Sequence, residues 1–261
     1  PLALGRWRPW AEAACALYVL FSFAIPALAL IYTSAIRYFV ANPFDAAWTT
    51  RNYEMLWANP AMLRSFWNTM VVSGGGALLG LALGVLVAYS THRLRPRGHR
   101  ALDVLASLPF GIPGIVVGLG FLWSYVHLPI YGTLWALVLC YVARFLPYAT
   151  ETVGAQIVQL DKSLEEAAWT SGAGRAATFR RVVLPLLRPA LQSGYFLLFI
   201  AFFREIAAAA LLYTAQTQVL SISIWAFFEN ANWGAASALS VIATIVTVGM
   251  MALVMRAPLR L

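Results

Sequence analysis

NTMVVSGGGALLGLALGVLVAYS, residues 68–90, runs for 23 positions without a charged side chain. At about 1.5 Å per residue, a helix of this length covers the ~30 Å hydrocarbon core of a bilayer. Its glycines at 74, 75, 76, 80 and 84 suit the close approach of one membrane helix to another. The rest of the chain agrees with that environment. Of 261 residues, 61% are hydrophobic and 11% charged, against about 45–50% and 25% in soluble domains. One soluble core cannot hide such a surplus, so it must face lipid. Ten Trp, 11 Tyr and 15 Phe also rule out intrinsic disorder.

Five further apolar runs flank this one. Residues 14–36 are interrupted only by Pro26, and residues 104–126 carry Pro109, Pro113 and four glycines. A shorter run covers 129–146, with Arg144 near its end able to snorkel to the interface. Residues 190–212 are interrupted by Arg204 and Glu205, and residues 234–255 are uncharged. The expectation is an all-α integral membrane protein with a six-helix transmembrane bundle. The outer segment 37–67 has room for a short interfacial helix. Residues 219–228, VLSISIWAFF, are apolar but too short to span, and read as a re-entrant or interfacial piece. No internal repeat is visible.

Eighteen basic against ten acidic residues give a net charge of +8, and in a soluble protein this would raise nucleic acid. Here the basic residues sit in short loops, where they fix orientation. With the N-terminus inside, fourteen of the eighteen, from Arg6 through Arg93, Arg144 and Arg175 to Arg260, fall on one side. Only Arg37, Arg51, Arg64 and Arg204 fall on the other. Both termini are therefore expected in the cytoplasm, as an even number of spans requires. Cys15 and Cys140 lie in apolar runs and read as small buried hydrophobes, neither disulfide nor metal ligands. His92, His99 and His127 read as solvated surface residues. Trp48, Trp57, Trp67, Trp123, Trp225 and Trp233 fall near span boundaries, as an aromatic belt. No cleavable signal is evident. The start at Pro1 suggests a processed or excised part of something longer.

The inner segment 151–189 differs from the other loops. DKSLEEAAW, residues 161–169, opens a helix, with Ser163 as N-cap and Glu166 completing a capping box. Gly172 and Gly174 permit a sharp turn, and FRRVVL, residues 179–184, forms a second short helix stopped by Pro185. Such a hairpin on the inner face, with Ala167 and Ala168 leaving a shallow apolar notch, is a docking surface for a cytoplasmic partner.

These residues resemble the EAA loop of binding-protein-dependent type I ABC importer permeases. Glu166-Ala167-Ala168, three residues, Gly172, nine residues, Val182, one residue and Leu184-Pro185 follow EAA-x3-G-x9-I-x-L-P, with Val for Ile as the one departure. RSFWNT at 64–69 resembles the entry to that family's core, and LPFGIPG at 108–114 its LPxAxPG stretch. The resemblance runs over roughly residues 60–255. It implies an N-terminal helix and outer loop at 1–59 and a permease core at 60–261. In that family the EAA helix sits in a groove of an ATP-hydrolysing subunit. The resemblance thereby assigns coupling to Glu165, Glu166, Ala167, Ala168, Gly172, Leu184 and Pro185. It implies a cytoplasmic ATP-binding subunit dimer holding ATP-Mg, a second permease unit (a fused half, a homodimer or a heterodimer) and an extracytoplasmic binding protein. The setting implied is the lipid bilayer of a prokaryotic inner membrane, with no nucleic acid and no cofactor bound by this chain. The chain has no GxxxxGK[ST] loop, no HExxH and no nucleophile–base cluster, so it is not the ATPase or another enzyme.

Arg204 and Glu205 lie 14–15 residues beyond Ala190, about 21 Å along span five. Two readings of them are open: a translocation-pathway pair near an outer vestibule, or the interfacial end of the span. The tract from Arg204 to Ala208, continuing through 211–214 and 219–221, resembles ferric iron permeases. That makes ferric iron the first substrate expectation, with thiamine, an organophosphonate or a polyamine as alternatives. The rival from another class is an ion-coupled secondary transporter. Its marks are inverted repeats and intramembrane carboxylates, of which only Glu205 is a candidate here, and it leaves the large inner loop without a purpose.

Overall fold

The computed structural model of the protein describes residues 5–38 and 45–256, with side chains through Leu253. The start at Pro1, the charge of Arg260 and part of the 37–67 segment lie outside the described residues, as does the Arg256 side chain. Of the described residues 81% are helical, and among them the one β-type pairing is an isolated bridge between Ile36 and Trp48.

The first apolar run becomes α1 (Arg8–Val19) and α2 (Ile25–Ser34), joined by a π-turn over Leu20–Ala24 into one length, Gly5–Ser34. Pro26 lacks an amide hydrogen, and the wider turn before it absorbs the missing bond. None of its apolar window is buried, the exposure that a lipid-facing helix requires. The outer segment holds the expected short helix, α3 (Arg51–Ala58). The glycine-rich run is the inner part of α4 (Pro60–Tyr89), which continues into a π-turn over Ser90–Leu94.

The third run departs from expectation. It breaks into α5 (His99–Ser107), a 3-10 turn (Leu108–Gly111) and α6 (Gly114–Tyr125), bent by 109°. Pro113 forces Ile112 into an extended conformation (φ −98°, ψ 129°), so the helix cannot continue. The fourth run is longer than expected: α7 (Leu134–Gln159) carries Pro147 inside it and runs thirteen residues past the expected end at 146. Arg144 is thus interior to a helix rather than at the head of the inner loop, which begins only at Leu160.

That loop holds α8 (Ser163–Thr170), α9 (Arg175–Thr178), a π-turn over Phe179–Val183 and α10 (Leu184–Leu186). After a 71° bend, α11 runs over Arg188–Phe203. The outer return holds α12 (Ala209–Leu212) and α13 (Leu220–Glu229), the latter too short to span, as expected. The chain's last described helix is α14 (Trp233–Arg256). Among the described residues, three helices are long and apolar enough to cross a membrane, or five if each bent pair is one span.

Two compact units are formed, residues 1–63 with 223–245, and residues 64–222 with 246–261. In the first, the Asn52 amide donates to the carbonyls of Ser34 (2.9 Å) and Ile36 (3.0 Å), fastening α3 to the end of α2. In the second, Gly76, Gly80 and Gly84, four residues apart, form the buried face of α4 against α7 and α11. A Cβ on Gly76 would stand 2.8 Å from the Phe202 ring, and one on Gly84 would collide with Ala149. Tyr141, Phe202, Leu137 and Leu198 complete that core.

Candidate functional site

α8 is defined by its ends. Its N-cap position is Lys162, which makes no side-chain cap. The expected capping box of Ser163 and Glu166 therefore does not form. Asp161 takes its place: its Oδ1 accepts the Ser163 amide hydrogen at 2.9 Å, because a short carboxylate two residues upstream reaches that group directly. These hydrogen bonds from Ser163 hold the Asp161 carboxyl below its ordinary pKa. At the other end Gly172 has φ +84°, and its amide donates to Trp169 (2.9 Å) while that of Ala173 donates to Ala168 (3.0 Å). This is a Schellman stop, and it needs glycine at the left-handed position. The EAA-x3-G spacing is thus a helix with a built-in end.

The expected coupling residues divide between two faces. Glu166, Ala167 and Gly172 are exposed, Ala168 is half-buried, and Leu164 and Trp169 stand out beside them. Glu165 faces inward and is 4% exposed. It forms an ion pair with Arg93, and Tyr89 donates its hydroxyl to Glu165 Oε2 at 3.1 Å. Arg93 also donates to the carbonyls of Leu160 (3.1 Å) and Asp161 (3.3 Å). Successive helical residues point about 100° apart, so neighbouring glutamates serve different surfaces. A groove of about 780 Å³ runs beside α8, bounded by Tyr89, Arg93, Lys162, Glu166, Trp169 and Phe179. Farther along, Val183 and Leu187 are buried against Val85, Ala88, Val153 and Ile157, whereas Leu184 is half-buried and Pro185 exposed. Sequence reasoning passed over Arg93 and Tyr89: an arginine among four in one inner loop carries no mark of burial.

Arg204 and Glu205 do not form a pair. α11 ends at Phe203, and Arg204 is exposed. Glu205 is 7% exposed and forms an ion pair with Arg144 of α7. Its Oε1 also accepts the Ala208 amide hydrogen at 2.8 Å, and its carbonyl accepts the hydroxyl of Ser221 at 2.7 Å. Gly114 lies against the Arg144 guanidinium so closely that any Cβ would collide with it. One buried carboxylate therefore ties α7 and the starts of α6, α12 and α13 together.

The RSFWNT segment grips the 213–220 stretch. The Asn68 amide donates to the carbonyls of Gln216 and Gln218, both at 2.9 Å, and Thr69 Oγ1 accepts the Leu220 amide hydrogen at 2.8 Å. His92, expected on the surface, is half-buried against Gly154, where a Cβ would come within 2.7 Å of its ring. His127 is exposed.

This helical arrangement has counterparts among known proteins. A bacterial alginate ABC transporter, solved with an alginate pentasaccharide-bound periplasmic protein, superposes with a TM-score of 0.74 at 18% identity, covering 95% of each chain. The ferric transport system permease protein FbpB of Actinobacillus pleuropneumoniae is 31% identical over 91% of this chain and 34% of its own length. This chain thus spans about a third of that curated relative. The spermidine/putrescine transport system permease protein PotC of Haemophilus influenzae is 27% identical over 77% of each chain. Residues 80–257 match the family of binding-protein-dependent transport system inner membrane components, and the chain belongs to that family.

Proposed function

We propose that this chain is a transmembrane unit of an ATP-driven importer that carries ferric iron from an extracytoplasmic binding protein into the cytoplasm. The observation that carries the reading is α8, a stopped helix presenting Glu166, Ala167 and Gly172 outward in a chain of this family. Those residues, with Ala168, Leu184 and Pro185, form the surface that enters a groove of the ATP-binding subunit dimer; Glu165 holds that surface from behind. ATP-Mg belongs to that partner, and hydrolysis occurs there. Iron is preferred as substrate because the similarity to a ferric permease runs over 91% of the chain. The similarity to PotC favours a polyamine as the second reading.

The unit works with a second transmembrane unit, fused, identical or different, in the inner membrane of a prokaryote. α7, 26 residues long, supplies the sixth span beside the three straight and two bent ones, with both termini cytoplasmic. Residues 60–261 form the permease core, a division supported by the family match at 80–257, and residues 1–59 form the N-terminal helix and outer loop. On the pathway, exposed Arg204 lines the outer vestibule, and Glu205 braces its wall.

Uptake of radiolabelled ferric iron and of putrescine by cells with and without this chain tests the proposal. The expected result is iron uptake that requires ATP and disappears with Gly172→Arg or Glu166→Lys while the chain stays in the membrane. Loss of putrescine uptake alone would move the assignment to a polyamine. Uptake that follows an ion gradient without ATP would return it to a secondary transporter.

A further inference from the structure

We infer that Arg93 is the joint through which movement of the coupling helix α8 reaches α4. The inference rests on the coupling role proposed for α8. Covalently, α8 is attached to α7 before it and leads through α9 toward α11. α4 lies some seventy residues upstream and meets α8 through side-chain contacts.

Arg93 makes those contacts. Its guanidinium has three acceptors at once: the Glu165 carboxylate on α8, the Leu160 carbonyl that ends α7, and the Asp161 carbonyl between them. The ends of two helices and the start of a third therefore meet on one planar group, whose donors point in fixed directions. The side chains of Arg93 and Glu165 are only 10% and 5% exposed. A buried pair of this kind is costly to separate, so it moves as one piece. Tyr89, one turn earlier, adds a hydrogen bond to the same carboxylate at 3.1 Å and sets its ring edge-on to Phe179 at 4.9 Å. Arg93 stands in the π-turn over Ser90–Leu94, in which Thr91 donates its hydroxyl to the carbonyls of Val87 and Ala88. Such turns reset the direction of side chains within a helix. Arg93 is thus a positioning residue, acting on the docking face through Glu165.

The test uses the intact chain, alone in nanodiscs and assembled with its ATP-binding subunit and binding protein. Arg93→Ala and Glu165→Ala are each expected to speed amide exchange in α8 by about a hundredfold, the loss expected on separating a buried pair. The double variant is expected to be no worse than either single change, because the two residues act as a unit. Arg97→Ala, in the same loop, is expected to leave exchange unchanged. In the assembled transporter, Arg93→Ala should keep ATP hydrolysis and the bound ATPase while substrate moved per ATP falls about tenfold or more. Arg93→Lys, which keeps the charge, should recover part of that ratio. Unchanged α8 exchange overturns the joint, and so does an unchanged transport-to-ATP ratio in a variant whose α8 has loosened. If uptake by the parent protein proves independent of ATP, the coupling reading fails instead, and the exchange measurement still decides whether Arg93 pins α8.

Discussion

Glu205 shows how much a single carboxylate can carry once it leaves water. Its charge is neutralised by Arg144 and its Oε1 is held by the Ala208 amide, while its backbone carbonyl anchors Ser221. Removing one partner strands the other without solvent, a loss of about 3–5 kcal/mol for a buried pair. Glu205→Ala and Arg144→Ala are each expected to lower the melting temperature of the purified chain strongly. Arg144→Met combined with Glu205→Leu is expected to recover most of that loss, because no unpaired charge remains. Arg204→Ala, at an exposed position, should change stability by no more than about 0.5 kcal/mol. Equal effects of Arg204→Ala and Glu205→Ala on melting would refute this division. The sequence does mark both 204 and 205 as charges at the end of an apolar run, but it gives no sign that the partner is Arg144, sixty residues earlier. Arg144 reads as interfacial only if span four ends beside it. The helix in fact continues to Gln159, with Arg144 inside it and paired with Glu205.

At the scale of elements, hydrophobic run length locates the glycine-rich helix and the short α13, because each obeys a simple length rule, whereas α3 follows only from the room left in the mixed 37–67 segment. Run length misses the break between α5 and α6. A hydropathy window treats Pro109 and Pro113 as neutral, although each removes an amide donor and the second dictates the backbone before it. The EAA hairpin was legible because its spacing is local, but the exact cap was not, since Asp161 and Ser163 compete for the same first turn. Asp161 carries a sign-definite pH effect. Its pKa is lowered in the folded chain, so its capping contribution is present above the ordinary value of 3.8 and is lost as pH falls through the lower folded value. Exchange at the Ser163 amide is expected to rise, relative to that in Asp161→Ala, only below that range, and a rise at neutral pH would refute the cap. Packing gives a second expectation. Gly84→Val puts atoms where Ala149 already stands, and overpacking of this kind costs about 1–3 kcal/mol. Gly75→Val, on the exposed face with nothing within 4 Å of a Cβ, should be far milder in the same melting measurement.

For the whole molecule the charge asymmetry survives a correction. With Arg144 withdrawn into α7, thirteen of the fourteen basic residues that the sequence assigns to the inner side remain in that count, still against four assigned outside. Charge within short loops sets orientation in proportion to that difference, so the termini-in arrangement does not depend on Arg144. Thiol labelling in intact cells checks it. Of the two native cysteines, Cys140 is buried and Cys15 exposed, so Cys15→Ser supplies the background. Asn52 is a poor reporter because its amide is bonded to Ser34 and Ile36, whereas Arg51, its neighbour, is exposed. Arg51→Cys is expected to react with an impermeant maleimide from outside. Arg97→Cys and Arg175→Cys, both exposed and in loops proposed to face inward, are expected to react only after the membrane is opened. Labelling of the Arg97 position in intact cells would invert the topology, and with it the side from which the face of α8 can be reached.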